Sequence, residues 1–440
     1  MRDMRATVVK VAAFYAIFAL LFGLITRMLS HYPDYRSYQL VAGFYKETEG
    51  SLDAVYLGSS NCYAFWNAPA AWNSYGLAVY PFASPSQPFY ATEYIMREAR
   101  KTQPDAMFIV NVNSVDADDL SAAGIHYLVN YMPDSENKAA MTNYLADLLD
   151  YNAIDRLEFR FPWLRIRELW LTLIEEGPLP PLYGLKGAST YESYFRSVED
   201  ISGNYDTIPD RSAELPEALE DAIVSLLDYC DEEGVRVLFV SVPRTEYSSY
   251  SKGRIERACD MIRDRGYDVL DMSPLAEDIG LDLTQDFYNN KHMNVHGSFK
   301  FTRYLCEYLI RNYGLEDRRR VHGYADWNRA WKRYSNLVAP WMLDIEANMA
   351  RRDYGLPAPT GVTVSENGAV RWDSTAGADG YAVYRKTGEA GAWIRLGDAE
   401  GDAFEDAKAP VKARYTVVPW REKNGEIYYG NFDYSGVGVE

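Results

Sequence analysis

The sequence predicts an α/β protein: a flavodoxin-like, doubly wound parallel sheet, preceded by a transmembrane helix and followed by a β-sandwich. Three observations carry this. Short apolar runs alternate with helical segments between residues 54 and 112 and again between 214 and 313, the pattern of a parallel sheet with crossover helices. Residues 11–26 (VAAFYAIFALLFGLIT) are uncharged and apolar throughout. After Leu356-Pro357-Ala358-Pro359 the chain changes to short strand-like runs at turn-rich spacing.

At 440 residues the chain has room for more than one domain, and 48% hydrophobic content with 14% aromatics excludes disorder as its main state. A net charge of −18 argues against nucleic acid, where affinity comes from neutralising phosphates. Abundant tyrosine and tryptophan fit carbohydrate contact, although core packing accounts for most aromatic rings. The four cysteines (Cys62, Cys230, Cys259, Cys306) lack Cys-x-x-Cys spacing, so neither zinc nor a structural disulfide is expected. No His/Asp/Glu cluster has metal-ligand spacing and no Gly-rich phosphate loop occurs, so no cofactor is expected.

Thr7, Val8 and Val9 extend the first apolar run past Lys10, which can reach the membrane interface with its ammonium. Arg2, Arg5 and Lys10 precede the run and only Arg27 follows closely. This charge bias predicts a cytoplasmic N-terminus, with the bulk of the chain extracytoplasmic. The run ends Thr26-Arg27-Met28-Leu29 without a small-x-small cleavage site, which favours an uncleaved single-pass anchor in the cell membrane over a signal peptide.

Strands are expected at 54–57, 77–82, 106–112, 235–242 and 267–271. Helices are expected at 67–72, 88–101, 214–233 (with Gly234 just past its end), 252–265 and 299–313, and a lead-in helix within 31–51. Residues 118–225 interrupt the alternation and read as a helical insertion, with helices at 143–151 and 163–175 and a Pro/Gly/Leu loop at 177–187. Residues 323–354 read as a helical strut. Strands at 361–365, 369–373, 380–385, 393–397, 413–420 and 426–430 complete a sandwich. The domains expected are thus 1–30 (tip and anchor), 31–320 (α/β unit with its insertion), 321–356 (strut) and 357–440 (sandwich).

Two stretches carry chemistry. Residues 54–57 run into Gly58-Ser59-Ser60, placing a serine where a strand ends and where open α/β sheets put their ligands. Far downstream stands Asp286-Phe287-Tyr288-Asn289-Asn290-Lys291-His292-Met293-Asn294-Val295-His296-Gly297. The pair resembles the SGNH/GDSL hydrolases, whose first block ends a strand in Gly-Asp-Ser or Gly-Ser-Ser and whose last carries Asp-x-x-His before the final helix. The resemblance covers about residues 50–313 apart from the insertion, and implies a three-layer sheet domain with Ser60 as nucleophile and His292 as base. It places Asn289 where the family has aspartate, leaving either Asn289 or Asp286 to orient the imidazole. His296 reads as a surface or capping residue. The Ser60 N–H, Asn113 after the third strand, and a backbone N–H of Ser84 or Ser86 after the second are the expected oxyanion donors.

The last segment resembles a fibronectin type III module, with Trp372 at the core tryptophan and Tyr415 at the tyrosine-corner position. An outward-facing Gly-Ser-Ser domain behind an anchor is similar to the D-alanyl-transfer protein of teichoic acid assembly and to alginate-type O-acetylation proteins. That similarity implies a bacterial esterase or O-acyltransferase acting on acyl esters of a cell-envelope polysaccharide, with envelope proteins as further partners. The other reading is a catalytically degraded surface protein that binds glycan or protein.

Overall fold

The computed structural model describes residues 2–29, 35–116, 120–161, 164, 182, 184–189, 214–245, 247–283, 286–350, 353, 355–365, 367–387, 394–410, 412–433 and 435–438. The chain opens with α1 (Arg2–Leu29), a 28-residue helix about 42 Å long at 1.5 Å per residue. Its most apolar stretch, Thr7–Leu24, has a mean hydropathy of 2.1 and none of it is buried. It is long and apolar enough to span a bilayer. The expected lead-in helix is realised as a short turn that passes into a π-helical stretch, Tyr38–Ala42, with Leu40 and Val41 buried.

A parallel sheet follows, built from β1 (Ala54–Gly58), β2 (Val79–Ala83), β3 (Met107–Asn111), β4 (Val237–Ser241) and β5 (Val269–Asp271). Its order is β2-β1-β3-β4-β5. Every residue of β1 to β4 is buried, because helices cover both faces and leave no wet side. Two helices leave β1, namely α2 (Ser60–Phe65) and α3 (Ala68–Tyr75). Asn67 caps α3 through Ala70 N, with Pro69 in the first turn and left-handed Gly76 at its end. Helix α4 (Thr92–Arg100) leads into β3, and α5 (Ala122–Val129) follows it. The strand order turns back between β1 and β3, where doubly wound sheets open a crevice at their carboxyl ends.

Within 118–225 the structure corrects the expected helix at 143–151. The helix α6 runs Glu136–Leu148 instead, starting seven residues earlier because Ser135 caps it through Lys138 N. The expected helix at 163–175 and most of the 177–187 loop lie outside the described residues. Helix α7 (Glu217–Glu233) ends on left-handed Gly234 and feeds β4. Helix α8 (Ser249–Asp264) precedes β5. A two-stranded hairpin, β6 (Phe287–Asn289) and β7 (His292–Met293), then turns into α9 (Val295–Tyr313), capped by Asn294. The four cysteines are free and buried, packed as small apolar groups.

The strut is one helix, α10 (Ala325–Ala350). Beyond it lie β8 (Thr363–Val364), β9 (Ala369–Arg371), β10 (Gly380–Thr387), β11 (Ile394–Ala399), β12 (Ala403–Glu405), β13 (Ala413–Lys423), β14 (Glu426–Tyr429) and β15 (Val437–Gly438). They form two antiparallel sheets. The short strands β12 and β15 escape sequence reading because neither is long enough to show alternation. Trp372 packs on Tyr381 with ring centroids 5.3 Å apart. Tyr415 is fully buried and donates its hydroxyl to Asp406 at 2.8 Å, where Arg385 also binds at 2.6 Å. We expect Tyr415→Phe to lower stability by about 2 kcal/mol, since a hydrogen bond to a buried carboxylate is lost. Urea unfolding will read this as an earlier midpoint at unchanged slope.

Candidate active site

Gly58 earns its place by having no side chain. A Cβ there would stand 2.8 Å from Asn111 Cβ and 3.3 Å from Cys62 Cβ, so β1 could not pass β3 so closely into α2. Gly58 is not among the positive-φ residues, so close approach and not a left-handed turn is what requires glycine there. The turn is made at Ser59, which is extended at φ −90° and ψ −151°. Ser60 then opens α2, half-buried at the carboxyl edge of the sheet.

The partner arrives on the hairpin. Asn290 and Lys291 form its two-residue loop, so Asn289 and His292 become a cross-strand pair. That converts the Asn-x-x-His spacing into contact. Asn289 Oδ1 lies 2.9 Å from His292 Nδ1 and also accepts the backbone N–H groups of Lys291 and His292, both at 3.0 Å. Because two backbone donors meet this atom, it must be the amide oxygen, and the imidazole proton therefore sits on Nδ1. The lone pair of Nε2 then faces Ser60 Oγ at 2.6 Å. Ser60, His292 and Asn289 thus form a hydrogen-bonded chain in the order a serine–histidine relay requires.

The other candidates stand elsewhere. Asp286 is buried and committed: Oδ1 meets His296 Nδ1 at 2.6 Å, while Oδ2 takes Lys300 Nζ at 2.8 Å and Asp282 N at 2.7 Å. Burial alone would raise its pKa, but these bonds hold it below the usual carboxylate range. Asp286 therefore staples the hairpin to α9 and does not orient His292. His296, expected at the surface or as a cap, is the other half of that staple, and Asn294 is the cap. Asn113 is likewise occupied, with Oδ1 accepting Val242 N at 2.8 Å and Nδ2 donating to Val242 O at 3.2 Å. It braces the end of β4 against β3. Ser84 is buried beside the end of β1, whereas Ser86 is exposed in a left-handed conformation with its carbonyl toward Gly124.

Arg244 was not singled out by sequence. It follows β4 and bonds Asp116 and Asn113 O, and the adjacent Thr245 N donates to Asn290 O at 3.2 Å. Two more unflagged residues have buried amide nitrogens without a hydrogen-bond partner, Asn61 Nδ2 and Gln87 Nε2. Their signal in the sequence was only proximity to the serine and to the second strand's end. Among the described residues no group of His, Cys, Asp or Glu is arranged to hold a metal.

No protein-family model matches this chain. No curated protein matches it either. Among solved structures, one described as a Fn3-like protein from Clostridium thermocellum is similar at 18% identity, over 20% of this chain and 93% of that one, with a TM-score of 0.16.

Burial pushes the His292 pKa down to about 3, helped by the positive charges of Arg36, Arg244 and Lys291. The folded state thus holds fewer protons on this ring than the unfolded chain between pH 6.5 and 3. Stability from this group is full above about pH 6.5 and is lost as pH falls toward 3. We expect the His292 Cε1 proton resonance to stay at its neutral position from pH 8 to pH 5. A midpoint near 6.5 in an NMR titration contradicts this.

Proposed function

We propose that this protein is an extracytoplasmic SGNH-type serine esterase or O-acyltransferase, anchored by α1 and acting on acyl esters of a cell-envelope polysaccharide. The observation that carries the reading is the Ser60–His292–Asn289 chain, at 2.6 and 2.9 Å, on the carboxyl edge of a parallel sheet. Ser60 Oγ attacks the ester carbonyl and its proton passes to His292 Nε2. The alcohol leaves with that proton, giving an acyl-enzyme. Water or a sugar hydroxyl then takes the acyl group, with His292 accepting the second proton. Esterase and transferase differ only in this acceptor. The three basic residues of the first ten, against Arg27 alone close behind the apolar stretch, support an N-terminus inside and the α/β unit outside.

A fluorophosphonate reports the nucleophile directly. Stoichiometric labelling of the intact protein, lost in both Ser60→Ala and His292→Ala, is the expected result. Folded protein that takes no label supports the second reading, a binding protein of the envelope. That reading draws on Asn289, which gives the imidazolium no charge, and on the weak basicity of His292.

The same geometry sets the rate. In a serine protease, the change from aspartate to asparagine behind the histidine costs about 10⁴ in turnover. We expect Asn289→Asp to keep the Oδ1 contacts, raise the His292 pKa and speed hydrolysis of a small acetyl ester about 10- to 100-fold, below that limit because the two backbone N–H groups still draw on the same oxygen. An unchanged rate shows that the orienting group does not limit the reaction.

A further inference from the structure

The apolar span of α1 ends beside a second exposed apolar surface. Phe22, in the last turn of Thr7–Leu24, meets Phe161 edge-on with ring centroids 5.6 Å apart. That span is about 27 Å long at 1.5 Å per residue, close to the thickness of a bilayer's hydrocarbon core. Phe22 therefore stands where the helix passes from lipid to water, and Phe161 stands at the same level.

The chain leading to Phe161 has two distinct faces. Asn152 Oδ1 accepts the N–H groups of Ile154 at 2.8 Å and Asp155 at 3.1 Å, and Asp155 Oδ2 accepts Asn152 N at 3.3 Å. This reciprocal cap starts a turn that runs into a short helix, Leu157–Arg160. One face looks inward, where Phe159 stacks on His126 and Tyr151 with centroids 5.1 and 5.8 Å away, at the margin of the main core. Ile154, Leu157 and Phe161 are three and four residues apart, the spacing of a single helical face. Ile154 is 75% exposed, more than any described large apolar residue of α1, and Leu157 is 43% exposed. Asp155 and Glu158 are balanced by Arg156 and Arg160, so this tip is neutral in a chain of net charge −18. Exposed apolar side chains scattered singly are ordinary, but a stripe of three that continues a spanning helix marks a contact.

We infer that Ile154, Leu157 and Phe161 form a second membrane contact, a stripe seated in the lipid interface beside the end of α1. The occupant is the bilayer surface, because the stripe is continuous with a helix that itself needs lipid around it. An amphipathic segment of this kind sinks its apolar face about 5–10 Å into the headgroup boundary. One helix alone lets the body it carries swing, whereas two contacts fix which side of the α/β unit faces the membrane. Helix α5, which carries His126, meets the loop after β2 where Gly124 lies against Ser86 O, so this orientation passes to the carboxyl edge of the sheet. The inference rests on α1 spanning the bilayer and on no chemistry at Ser60.

The native cysteines are all buried, so a cysteine placed at the surface alone takes a thiol-reactive fluorophore. Full-length Ile154→Cys and Leu157→Cys are labelled in nanodiscs of phosphatidylethanolamine and phosphatidylglycerol. A nitroxide borne high on the acyl chain is expected to quench both labels more than one near the chain end. Both are expected to be shielded from aqueous iodide several-fold relative to a label on Ile310→Cys, exposed on α9. A label on Phe18→Cys, in the middle of α1, is expected to respond most to the chain-end nitroxide and so reports the anchor. Iodide quenching at 154 and 157 equal to that at 310, with the label at 18 in lipid, overturns the stripe and leaves the anchor. Shielding from iodide without nitroxide quenching also overturns it, since a protein then covers the stripe. A label at 18 that iodide reaches removes the anchor, and the inference with it.

Discussion

The bond from His292 Nδ1 to Asn289 Oδ1 is the constraint around which the site is assembled. It fixes the tautomer, and only that tautomer presents a lone pair to Ser60. The bond exists because a two-residue loop makes the two side chains cross-strand neighbours. Four further contacts hold the hairpin still. Asp286 ties it to α9 through His296 and Lys300, Asn294 N donates to Asp286 O at 3.0 Å, and Thr245 N reaches Asn290 O from the end of β4. Gly297 completes the fit, since a Cβ there would lie 2.3 Å from Asp286 O. Acidic residues near a histidine are easily given the orienting role. Here the carboxylate builds the platform and the neutral amide holds the ring.

Around this pair the sheet edge is polar yet buried, and burial makes each hydrogen bond count. Asn113 and Arg244 link β3 to the segment after β4, and Asp116 closes the set. Bonds of this kind rigidify a sheet edge. Arg244 Nε and Thr245 Oγ1 on this flank, and Asn61 Nδ2 and Gln87 Nε2 where β1 and β2 end, are buried without a hydrogen-bond partner. A buried donor left empty costs about 1–3 kcal/mol, a strain that functional sites commonly hold in reserve.

The C-terminal module is joined to the α/β unit by more than a linker. Tyr334 and Val338 of α10, Val295 of α9, and Tyr384, Val418 and Phe432 of the module share one apolar cluster. Asn67 Nδ2 donates to Tyr334 OH at 2.8 Å, so the helix that follows the nucleophile's own helix also touches the strut. Lys186 adds a buried ionic pin, bonding Glu47 and Asp326 beside the Trp327 ring. These contacts set the module against the end of the unit that carries α3 and α9.

The sequence alone was enough for what depends on local pattern. Apolar runs closed by turns located β1 to β4, because a strand buried on both faces is mostly apolar, and the shorter Val269–Asp271 was legible from its place after a helix ending at Gly266. The 28-residue first helix, and Gly234 ending α7, were legible for equally local reasons. The motif spacing brought Ser60, His292 and Asn289 into view together. Tertiary structure alone decided which groups those residues meet. Asp286 and Asn289 are both near His292 in the chain, and only the hairpin register turns one toward the ring and the other toward α9. Asn113 and Asn61 are both asparagines just past a strand, and only the packing of β3 on β4 occupies the first and leaves the second empty. A hydrogen bond is short and directional, so its partner is set by the fold and not by distance along the chain.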